Sequence, residues 1–126
     1  MMMPCLRASV ARSMTFFSSS TQITIFLVLV IPKKHFDTML DTPKEILDKV
    51  MGVAQRIGQA QITSLHAKGV NILTNCYEAA GQSVKHFHVH VIPRYDEKDS
   101  LKIEFKNNAG NINFPALVDT IKKSII

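Results

Sequence analysis

Apolar and polar positions recur along this chain with two different periods, and the changes of period mark out its elements. The run Ile23 to Ile31, ITIFLVLVI, is β-branched and aliphatic, of strand length and closed by Pro32, which predicts a buried strand. Further on, Thr42-Pro43-Lys44-Glu45 combines an N-cap hydroxyl, a proline at the first helical position and a glutamate three residues after the cap, the signature of a helix start. Ile46, Leu47, Val50, Val53, Ala54, Ile57 and, beyond them, Ile62 and Leu65 continue the stripe of a long helix over about 43–67, with Gly69 as its stop. Val70 to Thr74 reads as a short strand, Asn75 to Ser83 as a loop containing Gly81, and Val84 to Ile92 as the clearest strand, ended by Pro93. Leu101 to Phe105 reads as a short extended piece, Asn107 to Asn111 as a turn, and Phe114 to Ile126 as a terminal helix with Pro115 in its first turn. No internal repeat or long low-complexity tract interrupts the pattern.

Composition narrows the class. A chain of 126 residues with 46% apolar and 20% charged positions fits one small α/β or α+β domain. The net charge of +5 suggests a polyanion partner only until its distribution is read: no acid precedes Asp37, so Arg7, Arg12, Lys33 and Lys34 supply nearly all of the excess. No nucleic-acid partner is expected. Cys5 and Cys76 form no Cys-x-x-Cys pair and read as reduced thiols. Residues 1–20 are rich in serine, carry arginine and lack acid, like an organellar transit peptide, whereas the apolar run that follows is too short to span a bilayer. The expected location is cytoplasmic, with mitochondrial or other organellar targeting the alternative, and no membrane partner is expected.

The chemistry concentrates in Lys85-His86-Phe87-His88-Val89-His90-Val91-Ile92. A period of two places Phe87, Val89 and Val91 on one face and His86, His88 and His90 on the other, with same-face neighbours roughly 6.5–7 Å apart. Such a ridge is a histidine-rich solvated face, a metal site built on His-x-His, or a place where a neutral imidazole attacks phosphorus. No carboxylate or cysteine at ligand spacing completes a metal set. Immediately upstream, Ala80-Gly81-Gln82-Ser83 offers small residues that let backbone amides approach an anion, and side chains that add donors. A phosphate cradle beside an imidazole ridge makes one coherent site.

The seven residues His86 to Ile92 match the H-φ-H-φ-H-φ-φ motif, φ being apolar, of the histidine-triad (HIT) family, which the chain closely resembles. Gly69 to Asn75, Ala80 to Val84, Ile92-Pro93-Arg94 and Val30-Ile31-Pro32-Lys33-Lys34-His35 resemble that family's flanking sequence, so that the likeness covers about residues 28–126. The resemblance implies an α+β fold with an antiparallel sheet, one long helix and a C-terminal helix. It also implies hydrolysis or transfer at the α-phosphate of purine nucleotide conjugates, such as a dinucleoside polyphosphate or a nucleoside phosphoramidate, through a covalent nucleotidyl-histidine. His88 would be the nucleophile, its other nitrogen held protonated by the backbone carbonyl of His86. His90 would contact phosphate oxygens, the His86 side chain would support the site, and Asn75, Gln82 and Ser83 would bind phosphate or protonate the leaving group. A homodimer that joins its sheets is implied, and no cofactor is required, a bound divalent metal being the alternative. His35 and His66, off the triad strand, are expected to be structural or exposed.

The chain departs from the family at its start. Where the family carries a D-[IL]-x-P segment and G-H-x-L-V, this sequence has Ser19 in the place of the ribose-binding acid and Phe26-Leu27 in the place of the Gly-His pair. Residues 1–22 are therefore read as an atypical, tail-like or transit-like segment, replaced by a frame error, an alternative start or divergence, and residues 23–126 as a HIT-like domain whose N-terminal part is incomplete. The rival function that follows is a non-catalytic nucleotide-binding or interaction protein, impaired by loss of the base and ribose pocket. Tyr77, where many members have glycine, is a further departure.

Overall fold

A computed structural model of the chain describes residues 6–9, 27–96, 99 and 101–125. The element order is β1 (Leu6–Ser9), β2 (Val28–Pro32), α1 (Lys44–Ser64), β3 (Gly69–Leu73), β4 (Val89–Arg94) and α2 (Phe114–Ser124), with short 3-10 turns at Met39–Asp41 and Glu78–Ala80. The strands form one antiparallel sheet in the order β1-β2-β4-β3. The expected α+β architecture, an antiparallel sheet with a long helix and a C-terminal helix, is therefore the one observed.

The apolar face of the histidine segment is what holds the domain together. Phe87, Val89 and Val91 join Val30 from β2 and Val50 and Ala54 from α1 in a cluster in which every member is fully buried or nearly so. Val28, Leu47, Ile57 and Val70 pack around it. Each fully buried valine or phenylalanine of the cluster contributes on the order of 1.5–3 kcal/mol by leaving water. The same alternation that seats these residues inward turns the intervening histidines to the opposite face.

Several boundaries differ from the sequence expectation, each for a local reason. The Thr42 hydroxyl does not cap α1; it donates to the Thr38 carbonyl at 2.7 Å. The capping box lies one turn earlier, where Thr38 accepts from the Leu40 N–H and Asp41 reaches back to the Thr38 N–H. α1 ends at Ser64 rather than near 67, because His66 adopts a left-handed conformation (φ 55°); Gly69 is the first residue of β3. The strand expected over Val84–Ile92 starts at Val89, since the chain bends upstream, where the His86 N–H donates to the Val84 carbonyl. Pro93 lies inside β4 opposite Val70, two residues beyond the last described pairing with β2, Val28 with Val91. Leu101–Phe105 forms no strand.

Of the apolar run, Val28–Pro32 is strand, while residues 23–26, Ser19 and Cys5 lie outside the described residues. Leu6–Ser9 pairs with β2, Leu6 opposite Pro32 and Ser9 opposite Leu29. Among the described residues no helix is long and apolar enough to cross a membrane. α2 starts on an Asn113 side chain that accepts the Ala116 N–H, with proline in its first turn, and none of its residues is buried.

Candidate functional site

Two parallel supports carry the triad to its position. Before β4 begins, the Phe87 N–H donates to the Phe36 carbonyl at 2.7 Å, and the Thr74 hydroxyl donates to the His88 carbonyl at 2.7 Å. The extended backbone that precedes the formal strand is thus tied on one side to the segment after β2 and on the other to the end of β3. Beyond it, His90 pairs with Leu29 of β2 and Leu73 of β3, in the centre of the sheet.

His88 Nδ1 lies 2.7 Å from the carbonyl oxygen of His86. A carbonyl only accepts, so the proton sits on Nδ1, and a neutral His88 ring keeps its lone pair on Nε2. His90 meets His88 edge-on, ring centroids 4.8 Å apart. Burial, and secondarily the neighbouring His88, lowers the His90 pKa below the ordinary imidazole value, which favours its uncharged form. The His86 ring is engaged elsewhere: Nε2 is 3.2 Å from the Pro32 carbonyl and Nδ1 is 2.8 Å from Nδ1 of His35.

The glycine-containing loop leads directly into this segment. Gly81 has φ 88°, a left-handed conformation that suits a residue without a side chain, and it closes the Glu78–Ala80 turn. Gln82 spends its whole amide on the loop and its surroundings. Its Oε1 accepts the Tyr77 N–H at 2.8 Å, and its Nε2 donates to the carbonyls of Asp37 at 2.6 Å and Val84 at 3.0 Å. The Asn75 amide reaches the Gly81 carbonyl at 3.5 Å. Ser83 is exposed, and its hydroxyl has no partner among the described residues. In this arrangement Gln82 braces the loop, while the Ser83 hydroxyl and Asn75 Oδ1 have no hydrogen-bond partner among the described residues.

His35 is exposed, as expected, and its Nδ1 lies 2.8 Å from Nδ1 of His86, so that it borders the triad segment. No periodic signal marks it, because it lies in the bend after β2 and meets His86 through the antiparallel pairing of β2 with β4. Asp37, which no sequence pattern singles out, lies within hydrogen-bond distance of His35 Nε2, at 2.8 Å. His66 remains exposed and serves only the left-handed turn after α1. Among the described residues no group of three or more His, Cys, Asp or Glu side chains is arranged to hold a metal ion.

Comparison with known proteins agrees with this geometry. The model of the HIT domain matches residues 12–97. The protein hit of Bacillus subtilis is 33% identical over 109 residues, which cover 86% of this chain and 74% of that protein. Adenosine 5'-monophosphoramidase HNT1 of Saccharomyces cerevisiae is 38% identical over 73 residues, 58% of this chain and 44% of that enzyme. Among solved structures, a HIT family protein from Bacillus anthracis superimposes with a TM-score of 0.73 at 34% identity, covering 79% of this chain and 73% of the other. With the matched span holding β2, α1, β3 and the whole triad segment, the chain belongs to the histidine-triad family.

Proposed function

We propose that the protein is a nucleotidyl hydrolase or transferase that acts at the α-phosphate of purine nucleotide conjugates. The observation that carries this reading is the hydrogen bond from His88 Nδ1 to the His86 carbonyl, because it leaves Nε2 of a neutral ring as the nucleophile. Nε2 would attack the α-phosphorus as the bond to the leaving group breaks, giving a nucleotidyl-imidazole. Water would then attack the same phosphorus and return the lone pair to Nε2. His90 and Ser83 would face the phosphate oxygens, and the Asn75 amide would add a donor. Gln82 would act by holding the loop. The yeast relative, named as a monophosphoramidase, favours a nucleoside phosphoramidate as the first substrate to test. No cofactor is needed for this chemistry.

The reading extends to a homodimer. β3 lies at the edge of the described sheet, and an apolar groove of about 600 Å³ runs between it and α1, lined by Met51, Gly58, Ile62, Val70 and Ile72. A second copy is the partner that the family likeness suggests for this face.

The deciding experiment compares the wild-type chain with His88→Ala for hydrolysis of an adenylyl phosphoramidate, with adenosine monophosphate binding measured by calorimetry alongside. Turnover in the wild type and none in a folded His88→Ala variant supports the reading. Turnover retained by His88→Ala removes the mechanism. Binding without turnover in the wild type favours instead a non-catalytic nucleotide-binding protein, the reading motivated by Ser19 and Phe26-Leu27 at the family's ribose-acid and Gly-His positions.

A further inference from the structure

Tyr77 holds a costly backbone conformation that no contact of its side chain within the fold explains. It lies at φ 71° and ψ 161°, a region that favours glycine. Hydrogen bonds pin it there: its N–H donates to the Gln82 side-chain oxygen at 2.8 Å, and its carbonyl accepts the N–H groups of Ala80 and Gln82, each at 3.1 Å. A glycine would make all three bonds without strain, since none of them uses the Tyr77 side chain. That side chain is 62% exposed and takes no part in the core cluster. Among the described residues its ring meets no cation or other aromatic ring, and its hydroxyl finds no hydrogen-bond partner. An exposed aromatic held at such a cost, on a loop that serves a site, points to a contact with a ligand.

The loop sets this residue at the border of the triad. Thr74, at the end of β3, donates to the His88 carbonyl at 2.7 Å, and the chain then runs through Asn75 and Tyr77 to Gln82 and Ser83 before it enters the triad segment. In the sheet order β1-β2-β4-β3, the strand that leads into the loop flanks β4 on the side away from β2. The positions that the family likeness gives to ribose and base precede β2. A conjugate bound across the triad therefore has its nucleoside toward β2 and its leaving group toward the loop. We infer that Tyr77 is a specificity-determining residue: its ring is the surface on which a planar leaving group stacks, and the substrates it selects are nucleotide conjugates whose leaving group carries an aromatic ring. The inference rests on the hydrolase reading for the identity of the leaving group, though not for the contact itself. The pinned backbone leaves only two side-chain torsions to be ordered on binding, which keeps the entropic cost of the stack low. Asn75, two residues away, would meet the departing atom, and Tyr77 the group beyond it.

Two adenosine 5'-phosphoramidates, one made with benzylamine and one with methylamine, share the scissile P–N bond and differ in the ring. For the wild type, kcat/KM should favour the benzylamine conjugate by roughly tenfold, which is about 1.4 kcal/mol and the scale of one aromatic stack. In Tyr77→Gly, which relieves the strain and keeps the backbone bonds to Gln82, the preference should vanish, mainly through a higher KM for the benzylamine conjugate. Tyr77→Phe should keep it. A preference that survives Tyr77→Gly, or a loss that strikes both conjugates alike, as a role confined to shaping the loop predicts, would overturn the inference. Binding is read separately in His88→Ala, which lacks the nucleophile: by calorimetry, adding Tyr77→Gly should weaken its affinity for the benzylamine conjugate by roughly tenfold. If the wild type cleaves neither conjugate and this loss of affinity is seen, the contact stands and only the hydrolase reading falls. Equal affinity with and without Tyr77→Gly, or no binding by either chain, overturns the contact.

Discussion

Tyr77 and Gln82 hold each other in place across the triad loop: the Gln82 carbonyl oxygen of the side chain accepts the Tyr77 N–H at 2.8 Å, and the Gln82 backbone N–H donates to the Tyr77 carbonyl at 3.1 Å. The clasp secures an unfavourable backbone. At φ 71° and ψ 161° Tyr77 occupies a region that only glycine enters freely.

Relieving that strain should stabilise the protein. A residue held in such a region costs on the order of 1–3 kcal/mol, while the added backbone freedom of glycine costs about 0.5–1 kcal/mol. Tyr77 is 62% exposed, so its removal forfeits little apolar burial. Tyr77→Gly should therefore raise stability by about 1 kcal/mol and the Tm by several degrees in thermal unfolding. A lower Tm would show that the ring's contacts outweigh the strain.

What was legible in the sequence was whatever repeats with a period. Phe87, Val89 and Val91 alternate with the histidines, and that alternation located both the core and the histidine face. The α1 stripe and the start of α2 at Phe114, with Pro115 in its first turn, were equally plain, whereas the Asn113 cap shows only in the structure. Contacts between distant segments leave no local trace. His35 sits in a bend and meets His86 only because β2 and β4 pair, and the Thr42 hydroxyl turned out to prefer a carbonyl four residues back over the helix it precedes. The left-handed His66 ended α1 before the glycine that the chain offered as a stop, since tertiary packing of β3 begins at Gly69.

His90 provides a titration test. Burial, with His88 as the lesser cause, lowers its pKa from the ordinary imidazole value. An ¹H–¹⁵N titration should place its midpoint below about 6.5, and His88→Ala should move it only part of the way back, because burial remains. The unfolded chain takes up this proton first as pH falls. The contribution of His90 to stability is therefore intact above its unfolded value and is lost progressively as pH drops toward the folded one. A midpoint in His88→Ala equal to that of an unfolded peptide would make the His88 charge, rather than burial, the main cause.

Asp99 behaves oppositely in charge but not in sign. Its carboxylate accepts the Tyr95 N–H at 2.8 Å and is paired with Arg94 at 3.0 Å; the backbone bond chiefly, with help from Arg94 and against the effect of burial, lowers its pKa below the ordinary carboxylate value. Stability from this group is present above its unfolded pKa of about 3.9 and is lost as pH falls through the folded one. Arg94 also donates to the Asn71 side chain and the Leu101 carbonyl, fastening the chain after β4 to β3. Asp99→Asn should flatten the dependence of the urea midpoint on pH below about 4. Arg94→Met, which leaves the nearly buried Asp99 without its ion partner, should cost about 2–4 kcal/mol at neutral pH. A slope unchanged in Asp99→Asn would assign the acid sensitivity to other carboxylates.

β3 is the terminal strand of the described sheet on the side of α1, and an unpaired edge beside exposed apolar side chains invites association. Ile62 and Ile72 are 42% and 43% exposed, and Met51 lies close by on the same groove. A second copy meeting this face would cover all three and extend the hydrogen-bonded ladder. Light scattering after size exclusion should give the mass of a dimer for the wild type. Ile62→Glu places a charge on the helix side of the groove, where it is solvated in a monomer and desolvated in a dimer, so it should shift the mass toward the monomer while leaving the circular dichroism spectrum unchanged. Ile72→Lys tests the strand side in the same way. A wild-type monomer would exclude the dimer outright, and a dimer that survives both substitutions would place its interface elsewhere, the exposed apolar residues Leu117, Val118 and Ile121 of α2 being the next face to test.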